Sequence, residues 1–263
     1  MDEEADARTI EWLFFDVGNV LFNDDRQAFY AYRELHRMLE AQQPGFTFAD
    51  LLAERERLAL DGARWILHHL AGRWFPEEKT RAAMREIRSH LLPRYDDYNV
   101  PHPGMREVLD AVRGKYRLGV IANQPRECRS SLESRGILSL FEVVAISEEL
   151  DLHKPDVRIY EWALQQAGCP PGSAVMIGDR IDNDVAPARE AGMRTVHLSW
   201  PTASARGWQP ADNNERLFLE SCDRVPLFRS GDGNVAADAT AASLAAVVPV
   251  IDAIAQKTRR QSR

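Results

Sequence analysis

Trp12–Phe22 reads WLFFDVGNVLF. Four apolar residues, Trp12 to Phe15, run straight into Asp16. Such a run is the pattern of a strand buried on both faces of a parallel sheet, ending on a carboxylate at its C-terminal edge. Gly18 predicts a sharp turn or a close approach of the backbone to a ligand. Val20, Leu21 and Phe22 then resume the apolar run. Open α/β sheets bind ligands outside the carboxyl ends of their strands, so Asp16 falls where chemistry is expected. The stretch alone fits a plain strand-and-turn equally well, and the decision lies with the rest of the chain.

Downstream the pattern changes. From Arg26 to about Tyr95 the chain is helical in period, with Phe29, Tyr32, Leu35 and Leu39 at helical spacing, and Tyr95–Pro103 is a turn-rich exit. Pro44-Gly45 breaks a first helix, Leu51–Leu70 reads as one long amphipathic helix, and Pro76–Leu92 as another. From Gly104 strands and helices alternate. The strands are Arg117–Asn123, Val143–Ser147, Ser173–Ile177, Thr195–Leu198 and Ala239–Ala242. The helices are Met105–Arg113, Arg126–Arg135, Val157–Ala167, Asn183–Ala191 and Leu244–Ala255. Alternation of this kind predicts an α/β fold, a parallel sheet with helices on both faces. The expected division is a discontinuous core, 9–25 with 100–255, an inserted all-helical domain, 26–99, and a solvated basic tail, 256–263. Ser199–Asp232 is polar and carries three prolines, and reads as a surface loop with a short helix around Asn214–Glu220.

Composition narrows the function. The chain has 263 residues, 44% of them hydrophobic, and a formal net charge of −7, enough apolar content for a sizeable core. No basic stripe supports nucleic-acid binding. The acidic start, MDEEADARTI, lacks the apolar centre of a signal peptide. Val235–Ala255 is apolar, but Asp238, Pro249 and Asp252 argue against a membrane span. Cys128, Cys169 and Cys222 are scattered and odd in number, which points to a reducing, cytoplasmic setting without a thiolate metal cluster.

Four post-strand loops carry polar groups: Asp16, Ala122-Asn123-Gln124, Lys154 before Pro155, and Asp179 with Asp182 and Asp184. A parallel sheet gathers such loops at one edge. Carboxylates converging there repel each other, and a hard divalent cation with a lysine makes them jointly stable. That combination suits phosphoryl transfer.

The order and spacing of these pieces resemble the haloacid dehalogenase (HAD) superfamily of aspartate-nucleophile hydrolases. Asp16-Val-Gly-Asn-Val matches the first motif, Leu118–Asn123 sits at the second, His153-Lys154-Pro155 at the third, and Gly178-Asp179-Arg-Ile-Asp-Asn-Asp184 at the fourth. The resemblance implies a Rossmann-like core, and the helical insertion resembles the family's small helical (C1) cap. By that resemblance Asp16 is the nucleophile and Lys154 neutralises it. Asp16, the Gly18 carbonyl, Asp179 and Asp184 hold Mg²⁺. Asn123 and the turn amides around it position the phosphate of a small phosphorylated metabolite. Gln124 and Asn19 are further candidate contacts, and Arg26, just past the first motif, is the candidate from the cap side.

Two positions depart from the family pattern. Gly18 stands where most family phosphatases carry a second Asp as general acid and base, a group typically worth ~10²–10⁴-fold. Ala122 replaces a phosphate-binding Ser or Thr. The Asp-x-Gly-Asn form also occurs in a branch that includes sugar-phosphate phosphatases, so the change does not by itself abolish activity. With the acid missing, either the substrate has a good leaving group or a cap side chain or water supplies the proton. Two alternatives stay open: a catalytically degenerate binding or regulatory protein, and a metal-independent 2-haloacid dehalogenase.

Overall fold

The computed structural model describes residues 9–63, 65–227 and 235–260. Its strands are β1 (Trp12–Phe15), β2 (Phe22–Asn23), β3 (Val100–Pro101), β4 (Arg117–Ala122), β5 (Val143–Ile146), β6 (Ala174–Gly178), β7 (Arg194–Leu198) and β8 (Ala239–Ala241). Six of them form one sheet in the order β5-β4-β1-β6-β7-β8. Every neighbouring pair is parallel. The fold is therefore the parallel α/β sheet that the alternation predicts, in the Rossmann-like form that the resemblance implies. β1 lies at the centre, with β4 and β5 on one side and β6 to β8 on the other. Strand order reverses at β1, and such a switch point is where open sheets bind ligands. Trp12 to Phe15 are all fully buried, which is why no polar residue interrupts them.

Register explains one sequence detail. Phe14 lies opposite Gly119, and a Cβ built on Gly119 would sit 2.4 Å from the Phe14 ring. The ring occupies the space that any larger residue would need. Gly119→Ala should therefore destabilise the protein by about 1–3 kcal/mol through overpacking. Urea denaturation checks this: the midpoint should fall with the slope unchanged. An unchanged midpoint would show that the ring can move aside freely.

The chain divides into two compact units. One holds the sheet and takes residues up to 22, 101–201 and those beyond 229. The other is helical and takes residues 23–100 and 202–229. Its helices include Asp25–Glu40, Phe48–Leu60, Ile66–Trp74 and Glu77–Leu91. The expected single helix Leu51–Leu70 is two, because the chain turns at Asp61-Gly62, where Gly62 has φ 79°. Thr47 and Asp50 close the start of Phe48–Leu60 as a reciprocal capping box.

Residues 202–227 are expected in the core, as a surface loop with a short helix around Asn214–Glu220; the helix is there and longer, but the segment belongs with the helical unit. The helix is Asn213–Arg224, capped by Asp212. Phe218, Leu219, Cys222 and Trp208 are buried in one cluster with Phe29, Leu35 and Leu51. Arg55, fully buried, donates to the carbonyls of Ser221 and Val225 at that helix's C-terminal end. Arg206 pairs with the fully buried Asp25 at 2.7 Å.

The last helix runs Leu244–Arg260, through most of the expected tail; residues 261–263 lie outside the described residues. Among the described residues, no helix is long and apolar enough to cross a membrane. The three cysteines are free thiols, and burial pushes the Cys222 thiol up to about 12.

Candidate active site

β1 delivers Asp16 at its carboxyl end. The Asp16 amide donates to the Ile177 carbonyl at 2.9 Å, which sets it beside Gly178-Asp179 at the end of β6. The chain then coils into one tight turn, with the Leu21 and Phe22 amides both donating to the Val17 carbonyl at 2.9 Å. The left-handed residue of this turn is Asn19, φ 51°, and not Gly18. Asn19 is buried, and its carbonyl accepts the Trp200 indole N–H at 2.8 Å.

Lys154 lies in the loop before the helix Arg158–Ala167. Its ammonium sits 2.8 Å from Asp16 Oδ1 and 2.6 Å from Asp184 Oδ1. All three side chains are nearly excluded from solvent: Lys154 is 1% exposed, Asp184 0% and Asp16 12%. Asp184 accepts from the Arg180 amide through its other oxygen at 3.0 Å. Asp184 follows β6 through a wide π-helical turn, Ile181–Val185, which forms the start of the helix expected over Asn183–Ala191. Tyr160 holds that turn by donating its hydroxyl to the Asn183 carbonyl at 2.5 Å.

Gly178 has a steric reason. A Cβ there would lie 2.2 Å from Asp184 Cβ, so the Asp184 side chain occupies the space over the strand end. Asp179 is less buried than Asp16 or Asp184, and the three offer carboxylate oxygens within 4.8 Å of one another. Its carbonyl is held by His197 Nε2 at 3.0 Å.

The electrostatics follow from burial. The Asp16 carboxyl stands raised to about 6 as the net of several influences, burial being the largest. The Lys154 ammonium pulls it down, and Asp184 adds a further upward push. For Lys154, burial lowers the ammonium, but Asp16 and Asp184 outweigh it and hold its pKa above the ordinary value. The Lys154 ammonium is shared between two carboxylates, Asp16 and Asp184, with the Asp179 carboxylate beside them. Hard oxygen donors at this spacing fit Mg²⁺, whose ligands stand at ~2.0–2.1 Å from the ion, so that opposite ones are about 4 Å apart. The donor set thus suits the metal.

The other expected contacts are placed as follows. Asn123 follows β4, and its amide side chain faces the Lys154 backbone. Asn123 Nδ2 donates to the Lys154 carbonyl at 2.8 Å, and the Lys154 amide donates to Asn123 Oδ1 at 2.8 Å. The Gln124 carbonyl accepts the Ser147 hydroxyl at 3.3 Å. Ala122 is the buried last residue of β4. Arg26 belongs to the helical unit, where its guanidinium lies 5.5 Å above the Trp208 ring. The structure adds Arg180, paired with Asp182 at 2.7 Å in the fourth-motif loop. An Arg two residues before an Asp is too common a pattern to have revealed this pair.

The sequence profile of the haloacid dehalogenase-like hydrolases matches residues 15–198, from the end of β1 to the end of β7. The chain belongs to the haloacid dehalogenase-like hydrolases. Among curated HAD relatives, the pyrimidine 5′-nucleotidase YjjG of Escherichia coli is 29% identical over 219 residues, covering 78% of this chain and 95% of that protein. A glyceraldehyde 3-phosphate phosphatase of Methanothermobacter thermautotrophicus is 29% identical over 189 residues, 70% of this chain and 83% of its own. A HAD-like hydrolase structure from Streptococcus pneumoniae superimposes with a TM-score of 0.63 at 16% identity, covering 92% of this chain and 98% of that one. It shares the fold.

Proposed function

We propose that this HAD-like chain is a Mg²⁺-dependent hydrolase of a small phosphate ester, working through an aspartyl-phosphate on Asp16. The observation that carries this reading is the buried Asp16–Lys154–Asp184 constellation, with Asp179 beside it, at the switch point of the sheet. The curated relatives named for phosphate esters support the same class. The inserted helical unit is the counterpart of the family's cap.

Asp16, the Gly18 carbonyl, Asp179 and Asp184 would hold Mg²⁺, which when bound stabilises charge on the transferring oxygens. Lys154 supplies the remaining positive charge and keeps Asp16 ionised. One Asp16 oxygen attacks phosphorus as the bond to the leaving oxygen breaks. Water then attacks the same phosphorus, phosphate departs with the added oxygen, and the Asp16 carboxylate is restored. Gly18 offers no proton to the leaving oxygen, which therefore takes one from water. This favours sugar 1-phosphates, acyl phosphates and other esters of acidic leaving groups.

The test is turnover with Mg²⁺ across a series of phosphate esters. The logarithm of kcat/KM should fall steeply as leaving-group pKa rises, and Gly18→Asp should flatten the slope. A flat wild-type line would mean that another residue already donates the proton. Gly18 and Ala122 also fit a degenerate binding protein, and absence of any Mg²⁺-dependent turnover would favour it. Chloride release from 2-chloropropionate would instead mark a dehalogenase.

A further inference from the structure

Lys154 has to place one ammonium between two buried carboxylates at the end of a flexible four-carbon stem. Its root is in a loop, outside any strand ladder. A fixed root is therefore needed, and a single side chain supplies it. Asn123 accepts from the Lys154 amide and donates to the Lys154 carbonyl, both at 2.8 Å, across 31 residues of sequence. One side-chain amide thus satisfies both main-chain groups of one residue, as a strand neighbour would. Among side chains of this length only Asn offers a donor and an acceptor on one planar group. Asp would set a second acceptor against the Lys154 carbonyl.

The loop that Asn123 occupies is itself anchored. Ala122, directly before it, is paired in register with Ile146 of β5. Asn123 therefore transmits the position of the sheet edge to the lysine.

We infer that Asn123 is a positioning residue, which fixes the Lys154 backbone so that its ammonium meets Asp16 and Asp184, and does not serve mainly as a phosphate ligand. What Lys154 does in turnover rests on the phosphatase reading above; the clamp itself rests on the two distances.

The experiment has two arms. The first needs no activity: hydrogen exchange at the Lys154 amide, resolved to single residues, in the wild type and in Asn123→Ala. Protection at Lys154 is expected in the wild type and lost in the variant, with β1 and β6 amides unchanged. Equal exchange in both proteins overturns the clamp.

The second arm is kinetic, with an aryl phosphate and Mg²⁺, on the wild type, Asn123→Ala, Lys154→Met and the double variant. Displacement of a reacting group by about an ångström can cost ~10²-fold. Asn123→Ala should accordingly lower kcat by about 10–100-fold, with little change in KM or in inhibition by inorganic phosphate. In the double variant Asn123→Ala should add nothing to Lys154→Met, because the residue acts through the lysine. A raised KM, weaker phosphate inhibition and additive losses would overturn the inference and make Asn123 a direct ligand. A Lys154→Met variant as active as the wild type would instead defeat the phosphatase reading, leaving the exchange result to judge the clamp.

Discussion

Asp16→Asn is expected to remove phosphate-ester hydrolysis, by about 10⁴-fold or more as for loss of other covalent nucleophiles, while raising the melting temperature of the metal-free protein at pH 7. The two effects share a cause. The carboxylate is held where burial and Asp184 disfavour its charge, so its pKa stands near 6, against about 3.9 in an unfolded chain. A folded-state pKa above the unfolded one means that the native protein binds the proton more tightly. The stability this group contributes is full below pH 4 and lost as pH rises through 6. The amide carries no charge at any pH and is nearly isosteric. The gain should therefore be largest at neutral pH and shrink to nothing near pH 4. In a chain of this size each kcal/mol recovered is worth about 2–4 °C. Melting curves from pH 4 to 7.5, with metal chelated, check the sign. A variant less stable at pH 7 than the wild type would show that the Asp16–Lys154 pair outweighs the burial of the charge.

Lys154→Met should act in the opposite direction on stability and in the same direction on activity. It leaves Asp16 and Asp184 buried without their shared ammonium, and removing one partner of a buried ion pair typically costs 3–5 kcal/mol, a range of about that size being expected here. The loss should be greatest at neutral pH and smaller near pH 5, where Asp16 becomes protonated. Mg²⁺ should return part of it by replacing the missing positive charge. kcat/KM should fall by about 10²–10³-fold, as when a charge-stabilising donor is removed from other active sites. A variant as stable as the wild type at pH 7 without metal would mean that the carboxylates find other compensation. Together the two substitutions separate a nucleophile that strains the fold from a cation that relieves it.

Much of this arrangement is legible in the residues. WLFF before Asp16 can only be a strand without a wet face, and β1 is fully buried at the centre of the sheet. Alternation after Gly104 gives the parallel sheet, and such a sheet gathers Asp16, Asn123, Lys154 and Asp179 at one edge. What stays hidden depends on contacts between distant residues. Phe218, Leu219 and Cys222 make a short apolar face that means little until Phe29 and Leu51 are packed against it. Asn123 stands out in the sequence as a phosphate contact, but its bonds to the Lys154 backbone, 31 positions on, show only in the structure. Gly178 reads as a strand end, while its requirement comes from Asp184 lying over it. Gly18 predicts a sharp turn or a close approach, yet the left-handed conformation of the turn falls on Asn19, since only the three-dimensional path of the turn decides which residue bends it.

The central claim is that Asp16 carries the phosphoryl group during turnover. Acid quenching of the protein during steady-state hydrolysis of a substrate with Mg²⁺, followed by borohydride reduction and peptide mass analysis, tests it directly. An acyl phosphate is reduced to an alcohol and a free carboxylate is not, so the account predicts homoserine at position 16, dependent on both substrate and Mg²⁺. Sustained turnover with an unmodified Asp16 peptide, or homoserine at another aspartate, would contradict it.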